Sequence, residues 1–305
     1  MEDLNSLCCI ILNFNTLELT INLARLIESY GQNIRICIVD NCSTDNSLEV
    51  LKKSYFTENT LVVSSKKNGG YSYGNNYGYS CAKKKWSDLK YICILNPDVW
   101  IDDKYCFSKL IKILEENERI AMVKPTMLNN GKTVKLKDSA WKLPTKTQRI
   151  FSHTIFDPYN KPDKYHGVIK NDLYFSDVLS GSFFIIRDSV FNSIGGFDEN
   201  VFLYCEESIL ALRIKHLNKN WLSVVDLNTY YDHRHKHQNI SNYSKKNTVA
   251  VNTFRSFKYM FENYYSPNKL DIFLFNLIQR LWLEKVKIQT MIKYDFTCIY
   301  KLLNK

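Results

Sequence analysis

Short apolar runs alternate with amphipathic stretches over the first hundred residues of the chain. The runs are apolar throughout, which is typical of strands that are covered on both faces. The stretches between them show helical spacing of apolar positions or begin with residues that favour helix starts. This alternation predicts an α/β fold with a mostly parallel sheet flanked by helices. The predicted strands are LCCIILN (7–13), IRICIVD (34–40), TLVVS (60–64) and YICILN (91–96).

The pattern changes twice after residue 125. Residues 125–175 contain four prolines and scattered lysines, and we expect a long excursion there that could fold over a substrate. The chain then returns to strand, helix, turn, helix and strand, and from about residue 240 it is helical, with Pro267 beginning an amphipathic segment. The predicted organisation is one domain of residues 1–240 and a helical tail of residues 241–305.

Composition and charge limit the classes of protein that fit. The 305 residues are 45% hydrophobic and 24% charged, which excludes a mostly disordered chain. The nine cysteines form no CxxC pair, so we expect buried thiols instead of a zinc site or a disulfide framework. No apolar run approaches ~18 residues, and the acidic start is unlike a signal peptide. We therefore expect a cytoplasmic protein.

The net charge of +10 is concentrated in the tail, where residues 245–305 hold eleven Lys and Arg residues against four acids. A basic, apolar tail favours binding to an anionic membrane surface over binding to DNA. The alternatives are an ordinary helical subdomain with a solvated lysine face, or a dimer formed through the tail. A nucleic-acid-binding protein is disfavoured because no nucleic-acid motif accompanies the charge.

Polar and turn-forming residues follow each predicted strand. In open parallel sheets the carboxyl ends of the strands meet at one edge, where ligands bind. Turn chemistry alone would also explain such residues. The segments concerned are Asn13 to Thr16, Asp40 to Ser43, Lys66 to Gly70 and Asn96 to Asp98.

Three motifs suggest chemistry at that edge. Asp98 follows an apolar strand in ILNPDV, and its carboxylate suits Mg²⁺ or Mn²⁺. Glu206 and Glu207 begin a predicted helix, where an acid either serves as a general base or simply interacts with the helix dipole. Alternating histidines follow the last strand, and one of them near Asp98 would complete a site suited to Mn²⁺. These histidines are His233, His235 and His237.

The order of seven features resembles the family 2 inverting glycosyltransferases of GT-A fold. The chain is most similar to their rhamnosyltransferase-like branch, which builds bacterial surface polysaccharides such as capsule or O-antigen. The similarity covers about residues 5–240. The features are IILNFNT, IVDNCSTDNS, KNGGYSYGNNYG, ILNPDV, GSFFIIRDSVFNSIGGFDE, FLYCEESILALRIK and a following histidine.

The resemblance implies a Rossmann-like GT-A domain with a nucleotide-sugar site at the strand ends. Asn13, Phe14 and Asn15 would lie against a pyrimidine base, and Asp40 or Asn41 would read its edge. The remaining candidates for donor binding are Asn68, Gly69, Gly70, Asn76 and Asn96.

The same resemblance implies a metal site and a catalytic base. ILNPDV stands at the family's DxD motif, with Asn96 in place of the first Asp, which leaves Asp98 as the carboxylate for Mn²⁺ or Mg²⁺. His233 stands at the C-terminal metal histidine, and His235 and His237 match less well. Glu207 stands at the second acid of the Glu-Asp motif and is favoured as base over Glu206.

The implied reaction is transfer of a sugar from a nucleoside-diphosphate sugar, dTDP-rhamnose or a UDP-hexose, to a glycan carried on polyprenyl diphosphate. A nucleotidyltransferase is the first alternative, but no phosphate-binding loop with a cation follows the first strand. A dinucleotide-dependent oxidoreductase would need a GxGxxG motif there, which is absent. A catalytically inactive scaffold of the same fold is the remaining alternative.

Overall fold

The structure is a computed structural model that describes residues 4–155, 157, 160–234 and 243–303. The chain divides into two compact units. Unit 1 comprises Met1–Leu143, Pro162–Glu199 and Glu206–His235. Unit 2 comprises Pro144–Lys161, Asn200–Cys205 and Lys236–Lys305.

Unit 1 is built around a mixed, mostly parallel sheet. Its strands are β1 (Leu7–Asn13), β2 (Arg35–Asp40), β3 (Thr60–Ser64), β4 (Tyr91–Leu95), β5 (Val99–Trp100), β6 (Ile120–Asn129), β7 (Lys132–Thr133), β9 (Val168–Lys170), β10 (Leu173–Ser176), β12 (Phe183–Arg187) and β13 (Leu222–His233). A separate pair consists of β8 (Ala140–Trp141) and β11 (Val178–Leu179). The order along the main sheet is β3-β2-β1-β4-β12-β6-β13-β10-β9, with β5 beside β13 and β7 beside β6.

The helices of unit 1 cover both faces of this sheet. They are α1 (Leu17–Ser29), α2 (Ser47–Lys53), α3 (Gly70–Lys85), α4 (Cys106–Glu116), α5 (Leu136–Ser139), α7 (Asp188–Ser193) and α8 (Glu206–Leu217), with a 3₁₀ turn at Asp163–Tyr165. Alternate residues of β1 enter different cores: Cys9 and Ile11 pack with α1 and α4, whereas Cys8 and Ile10 pack on the side of α3 and α8. This two-sided burial explains why the strands are apolar throughout.

The predicted α/β class is confirmed, and each of the four predicted strands matches an observed strand to within one residue. β3, β2, β1 and β4 are parallel, as expected for strands joined by crossover helices. β12 is inserted antiparallel between β4 and β6, an orientation that the sequence pattern did not indicate.

Close packing of α3 against the sheet depends on small residues. A Cβ atom added at Gly78 would lie 2.5 Å from a methyl carbon of Val39 and 2.8 Å from one of Ile10. Only glycine allows the helix backbone to approach the sheet this closely. The amino end of α3 is thereby held beside the carboxyl ends of β1 and β2.

The cysteines fit the expectation of buried thiols. Eight cysteines have described side chains, and none of these eight forms a disulfide bond. Five of them are buried, namely Cys8, Cys9, Cys37, Cys93 and Cys106.

Unit 2 is helical, which confirms the predicted C-terminal helices. It contains α6 (Lys146–Ile150), α9 (Tyr243–Tyr264) and α10 (Lys269–Leu303). Ile150 of α6 packs with Phe261 of α9 and Phe275 of α10, and the two phenylalanine rings stack with centroids 4.3 Å apart.

Across the described part of the chain, every helix is too short or too polar to span a membrane.

Candidate active site

Asn13 is the last residue of β1, and its buried side chain connects the carboxyl end of β1 to that of β2. Its side chain is fully buried, and its amide nitrogen donates to Asp40 Oδ1 at 2.9 Å and Ser43 Oγ at 3.1 Å. Its amide oxygen accepts from the Thr20 hydroxyl and from both the backbone N–H and the hydroxyl of Thr16. The structure therefore places Asn13 beneath the loops, with Asp40 buried beside it.

The loop after β1 presents the next two predicted residues to solvent. Phe14 is 39% exposed. Asn15 has a left-handed backbone (φ 55°), and its side-chain amide exchanges hydrogen bonds of 2.9 and 3.0 Å with the backbone N–H and the hydroxyl of Thr44. These bonds tie the loop after β1 to the loop after β2, and Phe14 is the apolar surface that this edge offers to a ligand.

Asn41 connects the end of β2 to the beginning of α3. Its amide nitrogen donates to Asn68 Oδ1 and to the carbonyl of Gly70, each at 3.2 Å, and its oxygen accepts from Ser65 Oγ at 3.1 Å. Gly70 begins α3 with a positive φ of 86°, and Gly69 comes directly before it. The structure thus brings Asp40, Asn41 and these residues together at one edge of the sheet.

Asn76 bonds to the loop of residues 195–199, and its predicted part in donor binding stays a prediction. Its amide donates to the carbonyl of Phe197 at 3.0 Å and to Glu199 at 2.8 Å, and it accepts from the Phe197 N–H at 2.9 Å. Gly196 approaches the same amide so closely that a Cβ there would lie 2.4 Å from its oxygen. Asn76 therefore fastens the loop of residues 195–199 to α3.

The structure brings the two predicted metal ligands together. Asp98 Oδ1 lies 3.1 Å from His233 Nε2, and their side chains are 18% and 12% exposed. Pairing of β5 with β13 sets this contact, because Val99 is the register partner of His233. Within the described residues no group of three or more His, Cys, Asp or Glu side chains could hold a metal ion. His235 and His237 lie outside the described residues.

The predicted acids begin α8, as the sequence indicated. Glu206 is 5% exposed, whereas Glu207 is half-buried. Tyr204 and Cys205, just before the helix, both adopt left-handed backbone conformations with φ of 73° and 72°. Such conformations are costly for residues other than glycine and cluster at functional sites.

Glu207 is held by the loop between β11 and β12, residues 180–182, here called the 180–182 loop. The backbone N–H of Gly181 donates to Glu207 Oε1 at 3.0 Å, and the Tyr71 hydroxyl donates to the Gly181 carbonyl at 2.6 Å. A Cβ at this glycine would lie 2.9 Å from the Tyr71 hydroxyl and 3.0 Å from Glu207 Oε1, so any larger residue would displace the ends of these side chains. Burial, together with the negative charge of nearby Glu207, raises the pKa of Tyr71 well above its ordinary value.

The 180–182 loop also contacts the predicted metal motif. The carbonyl of Ser182 accepts a 2.9 Å hydrogen bond from the backbone N–H of Asn96, two residues before Asp98. Consecutive residues of one short loop thus contact Glu207 on one side and the Asn96–Asp98 turn on the other. One loop therefore bonds both to the candidate base and to the turn that leads to the candidate metal ligand Asp98.

Two residues beneath this loop were not predicted. Lys124 of β6 is fully buried and donates to the Tyr231 hydroxyl at 3.1 Å, and that hydroxyl lies 2.7 Å from Ser182 Oγ. Burial lowers the pKa of Lys124 to about 7, an effect that the negative charge of Glu207 opposes. The sequence signal was a single lysine inside the apolar run IAMVKP, which reads equally well as an exposed strand position.

Comparison with known proteins identifies relatives for most of the chain. Residues 8–195 match the family model described as Glycosyl transferase family 2. The chain is 31% identical over 153 residues to rhamnosyltransferase WbbL of Escherichia coli (strain K12), covering 48% of this chain and 54% of the relative. It is 28% identical over 217 residues to the low-salt glycan biosynthesis hexosyltransferase Agl10 of Haloferax volcanii, covering 71% and 64%. The chain therefore spans between about half and two thirds of these relatives.

Solved structures share the fold at low sequence identity. The mannosyltransferase PcManGT from Pyrobaculum calidifontis, in complex with GDP-Man and Mn²⁺, is 12% identical, with a TM-score of 0.57 over 94% of this chain and 74% of that chain. GalNAc-T7 with UDP, GalNAc and Mn²⁺ is 13% identical, with a TM-score of 0.57 over 85% and 49%. These similarities show a GT-A-like fold.

Replacing Asn13 with alanine should destabilise the protein strongly. The change removes the hydrogen bonds of a fully buried amide to Asp40 and to two threonines, and we expect a loss of about 2–4 kcal/mol in the free energy of unfolding. Urea denaturation followed by circular dichroism measures this loss. Asn15→Gly is the matched control, because it removes exposed hydrogen bonds while keeping the left-handed backbone, and it should cost under about 1 kcal/mol. Equal losses in the two variants would contradict the structural role of Asn13.

Proposed function

The chain belongs to glycosyl transferase family 2, and we propose that it is an inverting glycosyltransferase that moves a sugar from a nucleoside-diphosphate sugar to a hydroxyl of a growing glycan. The observation that carries the proposal is the 180–182 loop, which contacts Glu207 through Gly181 and Asn96 through Ser182. This loop therefore contacts Glu207, which can deprotonate an acceptor hydroxyl. It also contacts the turn that leads to Asp98, whose carboxylate suits a cation bound to a diphosphate.

For the donor we propose dTDP-rhamnose or a UDP-hexose, since the matched relatives are named rhamnosyltransferase and hexosyltransferase. The nucleotide would lie at the carboxyl edge of β1 and β2, with its base against the exposed ring of Phe14. Asn13, Asp40 and Asn41 are buried, so their part in donor binding would be to fix the loops around the base. For the acceptor we propose a glycan linked to polyprenyl diphosphate.

Glu207 is proposed as the general base. Its half-exposed carboxylate can reach an acceptor, whereas Glu206 is almost fully buried. The Gly181 N–H binds one carboxylate oxygen and orients the group, so that the other oxygen is available to take the proton of the attacking hydroxyl. Attack from this side expels the nucleoside diphosphate from the opposite face of the sugar, which inverts the anomeric centre.

The residues around Asp98 fit a divalent cation, Mn²⁺ or Mg²⁺. Asp98 supplies an oxygen ligand and His233 a nitrogen ligand, and the two atoms already lie 3.1 Å apart. Such ions are often held by one or two protein groups, with substrate phosphates and water completing the coordination. A bound ion would offset the negative charge that grows on the departing diphosphate.

Helix α10 carries an apolar stripe that suits a membrane surface. The stripe consists of Leu270, Phe273, Leu277, Leu281, Ile288, Met291 and Ile292, each between 46% and 64% exposed. At 100° per residue these positions lie on one side of the helix, opposite buried Phe275 and Gln279. Exposed Lys269, Arg280 and Lys285 border the stripe. We propose that it binds the anionic inner face of the cell membrane, where a lipid-linked acceptor would be found.

Replacing Glu207 with glutamine should abolish turnover while leaving donor binding intact. Without the base, kcat should fall by about 10²–10⁴-fold. Release of nucleoside diphosphate from a panel of dTDP-, UDP- and GDP-sugars, in the presence of a lipid-linked acceptor, measures the effect. Glu206→Gln is the matched comparison and should lose less activity. A larger loss in Glu206→Gln would transfer the role of base to Glu206, and full activity in both variants would refute the mechanism.

Removing the divalent cation should stop the reaction. Chelation with EDTA should reduce release of nucleoside diphosphate to background, and added Mn²⁺ or Mg²⁺ should restore it. Asp98→Ala should weaken both the activity and the metal-dependent binding of the nucleoside diphosphate, as measured by calorimetry. Glu118→Ala, an exposed acid remote from these residues in sequence, is the control. Full activity in EDTA would contradict the proposed cation.

The double variant Leu277→Asn and Leu281→Asn should lose membrane binding. Wild-type protein should co-sediment with vesicles containing about 30% anionic lipid, less so in high salt, and the variant should bind at least tenfold more weakly. Leu217→Asn, which changes an exposed leucine of α8, is the control. If the stripe instead forms a dimer, light scattering will show a concentration-dependent mass change that the double variant abolishes without any vesicle binding.

A further inference from the structure

A fully buried lysine lies next to the candidate base without any assigned task. Lys124 sits in the middle of β6 with no exposed surface. Burying an ammonium group is costly unless every N–H finds a partner, so such a lysine needs a structural or functional explanation.

Each hydrogen-bonding partner of Lys124 belongs to a different segment. Its ammonium donates to Ser180 Oγ in a short hydrogen bond, to Tyr231 Oη of β13 at 3.1 Å, and to the carbonyl of Ser139 at the end of α5 at 3.4 Å. An ammonium group has three N–H donors, and these contacts use all three. Lys124 therefore joins the 180–182 loop to two neighbouring parts of unit 1.

The contact with Ser180 is the one that bears on the candidate base. Ser180 precedes Gly181, whose N–H holds the Glu207 carboxylate, and Ser182 on the other side bonds to Tyr231. Lys124 thus binds the 180–182 loop directly at its first residue and through the tyrosine hydroxyl at its last. The direction of the Gly181 N–H depends on both attachments.

The electrostatic surroundings of Lys124 contain one carboxylate. The negative charge of Glu207 on α8 favours the charged ammonium, while burial disfavours it and brings the pKa of Lys124 to about 7. The titratable group of β13 that contacts Lys124 is Tyr231; burial, with a smaller effect of the negative charge of Asp98, raises its pKa well above its ordinary value, so it stays neutral. The contacts from α5 and from the loop are an uncharged carbonyl and an uncharged hydroxyl.

We propose that Lys124 is a positioning residue for Glu207: its hydrogen bonds fix the 180–182 loop so that the Gly181 N–H meets the carboxylate. The proposal rests on the function of Glu207 proposed above. Lys124 is too deeply buried to touch a substrate, so it acts through the loop.

The charge on Lys124 should make the loop sensitive to pH. Below about pH 7 the ammonium is protonated and donates to Ser180, and above that pH it loses a proton and one donor. Gly181 follows Ser180 in the chain, so the NMR signal of its amide should change when Lys124 loses its proton. A lysine with a purely structural role would change stability when replaced but would not alter the pH dependence of the active site.

The test compares Lys124→Met, which removes the ammonium group and its charge and leaves an unbranched side chain one atom shorter, with Lys124→Arg and Ser180→Ala. In protein labelled with ¹⁵N-glycine, the wild-type Gly181 amide signal should move between pH 6 and 8, and this step should vanish in Lys124→Met. The ratio of the kcat of Lys124→Met to the wild-type kcat should be lowest below about pH 7, where the wild-type ammonium is protonated and donates to all three of its partners. Lys124→Arg keeps its charge throughout this range and should retain activity without the pH step.

Several outcomes would overturn the proposal. An unchanged Gly181 titration in Lys124→Met, or an activity loss that is equal at every pH, would leave the lysine a structural role only. If Lys124→Met does not fold, Ser180→Ala, which removes only the loop hydroxyl that Lys124 binds, must remove the pH step of the Gly181 signal. If no donor is turned over by wild-type protein, the proposed function fails, whereas the ¹⁵N-glycine titration still decides whether Lys124 controls this loop.

Discussion

The antiparallel pairing of β12 with β4 is the constraint on which the candidate site depends. Phe183, the first residue of β12, is the register partner of Leu95, the last residue of β4. The loop that precedes β12 therefore lies at the carboxyl end of β4, where Asn96 and Asp98 emerge. Had β12 run parallel to β4, the 180–182 loop would lie at the opposite edge of the sheet. Glu207 would then have no backbone donor beside the Asn96–Asp98 turn.

The first four strands could be predicted because a strand that is buried on both faces is apolar at every position, and such a run is visible in the local sequence. Runs such as LCCIILN need no distant partner to be recognised, and their ends marked the edge where polar residues gather. The resemblance to a family supplied what periodicity could not, namely that Asp98 and His233 should meet although 135 residues separate them. The structure places these two side chains in contact.

Other parts of the site could not be read from the sequence because their partners are distant and carry no local pattern. Asn76 bonds to Phe197 and Glu199, more than a hundred residues later, and nothing in KNGGYSYGNNYG distinguishes an amide that binds protein backbone from one that binds a ligand. Lys124 was not predicted as part of the site because a single lysine in a strand is usually exposed. For Asn76 the deciding fact is the position of a distant partner, and for Lys124 it is burial; both depend on the whole fold.

The composition of unit 2 has a consequence for the order in which the chain can fold. Ile150 of α6 packs against Phe261 and Phe275, which follow about a hundred residues later. During synthesis α6 leaves the ribosome long before either partner exists, and its apolar side stays uncovered while the last third of unit 1 is made. A nascent chain that stalls, or a gene truncated after the last strand, would leave that surface uncovered. The C-terminal helices therefore complete a core that the middle of the chain begins.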